Sequence, residues 1–254
     1  MSSTEGEHAV VDLVRSAEAG DREALKRLSR LRDAAALPHL LAALPDARGR
    51  HVPIAIIRAL GRIGGDEAAA ALARFLDPLT AEPSRNRPEQ GPVGDDYWFD
   101  RDHKTDRKRR HLEAADALRK MPHTPLAADI LAANNCHWEL ATRRGRRDPR
   151  AAEIALRYLT PPSFFGAATL ALFHDPSYIA PLRRAQAIAT HGWAQFNLSV
   201  ARLRNGDPTA VDDLRAMSVD ESHPRHVNAR LMLDGDPDVL AVDGSRGEWY
   251  LMLF

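Results

Sequence analysis

The chain has 254 residues, 44% of them hydrophobic, with 35 Lys plus Arg against 35 Asp plus Glu. This composition excludes a disordered or collagen-like chain and is long enough for a sizeable buried interior. A formal net charge of zero makes the molecule as a whole a poor polyanion binder, so a nucleic-acid role would have to rest on a local patch.

In chain order, Val10, Val11 and Val14 mark a first helix that reads as a cap on the helices downstream. Ala24, Leu25, Leu28 and Leu31 form one apolar stripe, and Leu37, Leu40, Leu41 and Leu44 another, predicting helices over 22–31 and 34–44. The clearest pair spans 51–77, where Ile56, Leu60 and Ile63 fall at i, i+4, i+7, and Leu72, Phe75 and Leu76 at i, i+3, i+4. Gly64 and Gly65 suit a left-handed helix end, and Asp66 is expected to cap the helix after them.

Downstream, an Asp or Thr followed by Pro recurs at Thr124-Pro125, Asp148-Pro149, Asp175-Pro176, Asp207-Pro208 and Asp236-Pro237. Proline at a first helical position loses no hydrogen bond, so each junction predicts a helix start. The successive spacings of 24, 27, 32 and 29 residues define a helix-pair period of about 30. The expected pairs continue as 107–121 with 125–133, 136–146 with 149–160, 163–173 with 176–190, 192–204 with 208–217, and 223–233 with 237–242. Alternating β-branched runs bounded by turns are absent, and Ala68 to Ala71 favour helix. The apolar end, Trp249 to Phe254, is expected to pack over the last repeat.

The string from Ala55 to Leu72, with Ala59-Leu60-Gly61 and the Gly64-Gly65-Asp66 turn, resembles a HEAT repeat of the short bacterial type, the PBS-lyase HEAT-like repeat. Ala35 to Leu44 resembles the second helix of the preceding unit, and the signature fades downstream to Ser199-Val200-Ala201-Arg202-Leu203. The resemblance implies an all-α fold, a right-handed α-α superhelix or HEAT-like solenoid of about seven helix pairs. It would be a single domain over 1–254 whose second helices line a concave face, with macromolecular recognition the commoner role.

One long inserted loop, 78–106, breaks the period with six Pro and Gly residues and then presents Asp95-Asp96-Tyr97-Trp98-Phe99-Asp100. Tyr97, Trp98 and Phe99 are expected either to pin the loop to a neighbouring repeat or to anchor a partner, because adjacent aromatics among carboxylates are costly in water unless docked. Arg107, Arg109 and Arg110 belong to one basic run, and Arg143, Arg144, Arg146 and Arg147 to a second. Segments 101–120 and 143–157 each carry about +4, against about −6 for 207–248, so the neutral total conceals a basic middle. Stacked repeats would bring the two runs about one repeat apart, near enough to reinforce each other within a Debye length of roughly 10 Å. Arginines at helix ends also serve as ordinary dipole partners.

No cofactor or metal is expected. The eleven histidines show no ligand spacing at His103 and His111 or at His223 and His226, and the single cysteine excludes an intramolecular disulfide and a thiolate cage. Cys136 and His137 are sequence neighbours that point about 100° apart on a helix, a poor geometry for a catalytic dyad. Phosphate-loop, dinucleotide and nucleophile-elbow motifs are absent. The single cysteine, an amino terminus unlike a signal peptide, and the lack of a run of about 18 apolar residues predict a cytoplasmic protein with no membrane partner.

The expectation is a non-catalytic binding or scaffold protein for a protein or peptide partner. It would use Arg150 and Arg157, with Arg183 and Arg184 further on, supplemented by the Tyr97-Trp98-Phe99 loop. One alternative resembles the HEAT-like DNA glycosylases, with Trp138, Trp193 and Glu139 as the residues to inspect and a local basic patch as the nucleic-acid contact. Another is a lyase- or chaperone-like holder of a chromophore or small substrate.

Overall fold

A computed structural model describes residues 3–49, 51–76, 106–121, 124–143, 147–160, 162 and 164–235. Among them are fourteen α-helices and no strand. The contacts divide the chain into two compact units, 1–139 and 140–254.

In the first unit, α1 (Ser3–Glu18), α2 (Arg22–Ser29) and α3 (Leu37–Ala43) precede α4 (Val52–Ile63) and α5 (Asp66–Ala73), and α6 (Asp106–Lys120) and α7 (Pro125–Ala133) come after them. Asp21 caps α2 by accepting the backbone N–H of Glu23 at 2.9 Å and of Ala24 at 3.1 Å. Asp33 does the same for the 3₁₀ turn Ala34–Ala36 that leads into α3. Helix α4 is buried on nearly its whole circumference, from Val52 through Ile57 and again at Ala59 to Gly61. A helix apolar all round needs neighbours on several sides. α2 and α6 flank it as the first helices of adjacent pairs, while α5 covers it from the second layer and itself packs against α3 and α7.

The crossing of α4 and α6 is unusually tight. A Cβ built on Gly61 would lie 2.6 Å from the Ala117 Cβ and 2.9 Å from its Cα. Along the same two helices, Arg58 grips Glu113 with Nε donating to Oε2 at 2.8 Å and Nη2 to Oε1 at 2.5 Å. The two contacts share a register, since 58 and 61 are three apart on α4 and 113 and 117 four apart on α6. The turn after α4 departs from the expectation in one respect. Asp66 is the first residue of α5, and Gly65 occupies the cap. Both Gly64 (φ 79°) and Gly65 (φ 89°) take positive φ, so the chain re-enters helix one residue earlier than an Asp cap would allow. Asp66 then acts through its charge at the helix N-terminus.

Helix α8 (His137–Ala141) carries the boundary between the units. The second unit contains α9 (Arg150–Arg157), α10 (Phe164–Leu170), α11 (Ile179–Ile188), α12 (Gly192–Arg204), α13 (Ala210–Val219) and α14 (His226–Leu233). α12 faces two cores at once. Leu198 and Ala201 join Leu170, Leu182 and the alanines of α9, whereas Phe196 and Val200 join Leu214, Met217, Ala229 and Met232. Burial is therefore handed from one helix pair to the next, as expected for stacked repeats. The fold is all-α with helices in adjacent pairs, consistent with a HEAT-like solenoid. The second helix expected at 237–242 and the apolar tail lie outside the described residues, as does the inserted loop up to residue 105.

Two polar side chains tie these pairs together. Asn205 donates to the carbonyls of Ala201 at 2.7 Å and Leu170 at 3.1 Å and accepts the Asp175 backbone N–H at 2.7 Å, using both amide protons and the carbonyl oxygen across a junction. The buried Asp207 carboxylate accepts from Arg183 Nε and Nη2 at 2.9 and 2.8 Å, from Arg202 Nε at 2.8 Å and from the Thr209 hydroxyl at 2.7 Å. Arg202, itself buried, also pairs with Asp213. These donors, Arg183 first, hold the Asp207 carboxyl well below the ordinary carboxylate range.

Gly61→Ala is expected to destabilise the protein even though alanine is about 1 kcal/mol the better helix former, because overpacking a crossing costs about 1–3 kcal/mol. Urea unfolding checks the sign, and a raised midpoint would contradict the tight crossing. Asp207→Asn is expected to cost about 3 kcal/mol at pH 7 by removing the buried carboxylate that Arg183 and Arg202 share, with Asp213 still paired to Arg202. Because the folded-state pKa of Asp207 is depressed, its contribution is present above the ordinary carboxyl pKa and lost as pH falls below it. The variant should therefore show a flatter decline in thermal midpoint below about pH 4 than the wild type.

Candidate functional site

The second helices α3 and α5 are amphipathic in a way that leaves apolar atoms on both sides. Inward, Leu40 and Leu72 are completely buried, together with Ala68 and Ala69. Outward, Leu41, Leu44, Ala71 and Phe75 are only half-buried and Ala70 is exposed. Side by side, the outward residues form a groove of about 680 Å³ floored by Leu41, Leu44, Ala70, Ala71 and Phe75, with Ala42 and Pro45 at its lip. Alanines on α5 make the groove, because larger side chains at 70 and 71 would fill the space between the two helices.

Two charges frame this apolar floor. Glu67 stands one turn before Ala70 and Ala71, and Arg74 one turn after them, so 67, 70, 71 and 74 share a face. Both are exposed, and neither makes an ion pair or side-chain hydrogen bond among the described residues. An open apolar floor with an opposite charge at each end is suited to seating a complementary helix face.

The basic residues singled out in the sequence are placed less uniformly. Arg109 and Arg110 sit half-buried near the start of α6, and Arg107 lies in its first turn. Arg143 is half-buried after α8, and Arg147 donates to the Leu172 carbonyl. Arg150 grips Asp148, with Nε donating to Oδ1 at 3.0 Å and Nη2 to Oδ2 at 2.6 Å. This pairing holds the Asp148 carboxyl below its ordinary range. Arg157 is exposed in the last turn of α9. Tyr97, Trp98, Phe99, Arg144 and Arg146 lie outside the described residues. The runs around 107–110 and 143–157 fall in different units.

Trp193 carries the Arg225 guanidinium on its ring, and Gly192 allows the approach, since a Cβ there would lie 2.6 Å from Pro224 Cγ. That contact assigns Trp193 to packing between α12 and the start of α14. Cys136 and His137 are both buried, which pushes the thiol up and the imidazole down to about 4. Each is thereby held neutral near pH 7, whereas an activated thiolate–imidazolium pair requires both charges. Burial also raises Glu139 above the ordinary carboxyl value, with the charge of Arg119 opposing the rise. Among the described residues no three His, Cys, Asp or Glu converge as a metal-binding group, and no helix is long and apolar enough to cross a membrane.

Residues 52–78 match the family model described as PBS lyase HEAT-like repeat. The matched segment runs through α4, the double-glycine turn and α5, so it contains one wall of the groove. The match supports a HEAT-like repeat protein. No curated protein and no solved structure matches the chain.

The groove itself is not apparent in the sequence, where Leu41 and Leu44 read as one stripe with Leu40. The signal that could have revealed it is the run Ala68 to Ala71, which places alanine on the outward as well as the inward face of α5.

His137 generates a pH prediction. Its imidazole titrates near 6.5 when unfolded and is lowered to about 4 when folded. The unfolded chain therefore binds more protons between those values, and stability falls as pH drops from about 6.5 to about 4. The loss attributable to this residue is on the order of 3 kcal/mol, at 1.36 kcal/mol per pKa unit. Denaturant unfolding at pH 7 and pH 4.5 should show a clearly smaller loss for His137→Gln than for the wild type.

Proposed function

We propose that this is a non-catalytic HEAT-like repeat protein that binds or scaffolds a protein partner through its second helices. The observation that carries the reading is the open groove between α3 and α5, whose apolar floor is left uncovered by the chain's own described residues. In stacked repeats each pair contacts only its neighbours, so the outer face of the second helices is surface that folding does not require. Exposed contiguous apolar surface bounded by polar residues is the usual sign of an interaction site. The Tyr97-Trp98-Phe99 segment, which comes after α5 in sequence, is proposed to add aromatic contacts. A cytoplasmic location belongs to the same proposal and rests on the single, buried Cys136.

A nucleic-acid role has less to draw on, because Arg150 and Arg183 direct their guanidiniums at Asp148 and Asp207. A phosphate contact through them would first have to break bidentate ion pairs.

The reading is tested by a photo-crosslinking side chain introduced at exposed Ala42, at the lip of the groove, with Val219, 79% exposed in the second unit, as the control position. The expected result is a discrete protein adduct from position 42 and none from 219. Leu41→Asp should lower the adduct yield about tenfold, the equivalent of about 1.4 kcal/mol of binding. Equal labelling from both positions would mean that the groove holds nothing.

A further inference from the structure

We propose that the α3–α5 groove is occupied by a second copy of this chain, with α5 lying antiparallel to its counterpart about a two-fold axis between Ala70 and Ala71. This rests on the reading of the groove as a protein-binding surface and names its occupant. The stripe along α5 runs Glu67, Ala70, Ala71, Arg74, at i, i+3, i+4 and i+7 of one helix face. It is even in size and opposite in charge about its own midpoint. A two-fold rotation there reverses the helix direction, setting Glu67 against Arg74 of the second copy and Arg74 against Glu67 of the second copy. Each alanine then meets the other alanine. That is the requirement for an isologous contact, in which residue i touches j and j touches i.

Four features of the face agree with this arrangement. The paired alanines at the centre let two helix axes approach to about 8 Å, the short end of ordinary helix packing. Leu41, Leu44 and Phe75 stand half-buried beside the stripe, so the counterpart α5 would cover apolar atoms of both α3 and α5. Glu67 and Arg74 have no ion-pair partner among the described residues of their own chain, so neither has to be released to make the contact. A parallel pairing would oppose Glu67 with Glu67 and Arg74 with Arg74, which selects the antiparallel register. Exposed ion pairs contribute little net energy, so the charges set register and the apolar floor supplies affinity. The predicted dimer is therefore concentration-dependent.

Sedimentation velocity on the full chain from about 5 to about 500 µM is the decisive experiment, since a modest apolar contact falls in the micromolar range. The wild type should shift from monomer to dimer across that range. Glu67→Arg and Arg74→Glu each place like charges together twice and should each weaken the dimer about tenfold or more. The double variant carries the same stripe with its charges exchanged and should dimerise like the wild type. Far-UV circular dichroism confirms that these exposed substitutions leave the helices intact. A chain that stays monomeric throughout, single variants that dimerise normally, or a double variant that fails to recover would each overturn the proposal. The Ala42 crosslink separates this outcome from the broader reading. An adduct of twice the chain mass supports both, an adduct with a different protein overturns the second copy and leaves the groove reading standing, and no adduct removes both.

Discussion

Short helices in this chain can be buried only by lying flat against the helices of adjacent pairs, and the distance at which they do so is set where α4 crosses α6. At Gly61 the two backbones come together with no room for even a methyl group. That approach brings Ile56, Ile57 and Leu60 into full burial and holds α5 in the second layer. The Arg58–Glu113 fork lies in the same register at the edge of the crossing, where it resists sliding of one helix along the other. Half-exposed, it contributes specificity of alignment more than energy. The outward face of α5, and with it the groove, depends on this placement.

In the second unit the same problem is solved with polar groups. Asp207 begins as a residue of a turn before α13, yet it gathers Arg183 from α11 and Arg202 from α12. Asn205 spans from Leu170 to Asp175 in the neighbouring pair. Satisfied networks of this kind fix orientation, because a small rotation of any one helix strands a buried charge or amide. Alanine-rich faces on α9, α10 and α12 offer little shape to interlock, which makes such alignment devices useful. The arginines used in them are directed at their own carboxylates, and their surface presents less positive charge than their number suggests.

The proposed interaction surface lies instead in the first unit, on the second helices. The groove between α3 and α5 has an apolar floor and one isolated charge of each sign at its ends. Under the proposed dimer such a surface would discriminate by register, since a sliding or reversed helix would lose both charge contacts together. The HEAT-like match covers the α4–α5 pair alone, so the matched repeat is also the one that bears the proposed surface.

The one-dimensional pattern determined which segments are helical and where most of them begin. The stripes at Ile56, Leu60 and Ile63 and the Asp-Pro and Thr-Pro junctions report local helix geometry and lost N–H groups, and both are properties of a few consecutive residues. The cap falls at Gly65, one residue before the Asp66 that the sequence suggests, because the sign of φ at two adjacent glycines is set by how α5 must meet α4. Only the tertiary structure decided that Arg183 is committed to Asp207, that Cys136 and His137 are neutral, and that Leu41 and Leu44 stand apart from Leu40. Those outcomes depend on a neighbour 24 residues away, as between Arg183 and Asp207, or on how much water a helix face keeps. Neither quantity is encoded in the spacing of residues along the chain.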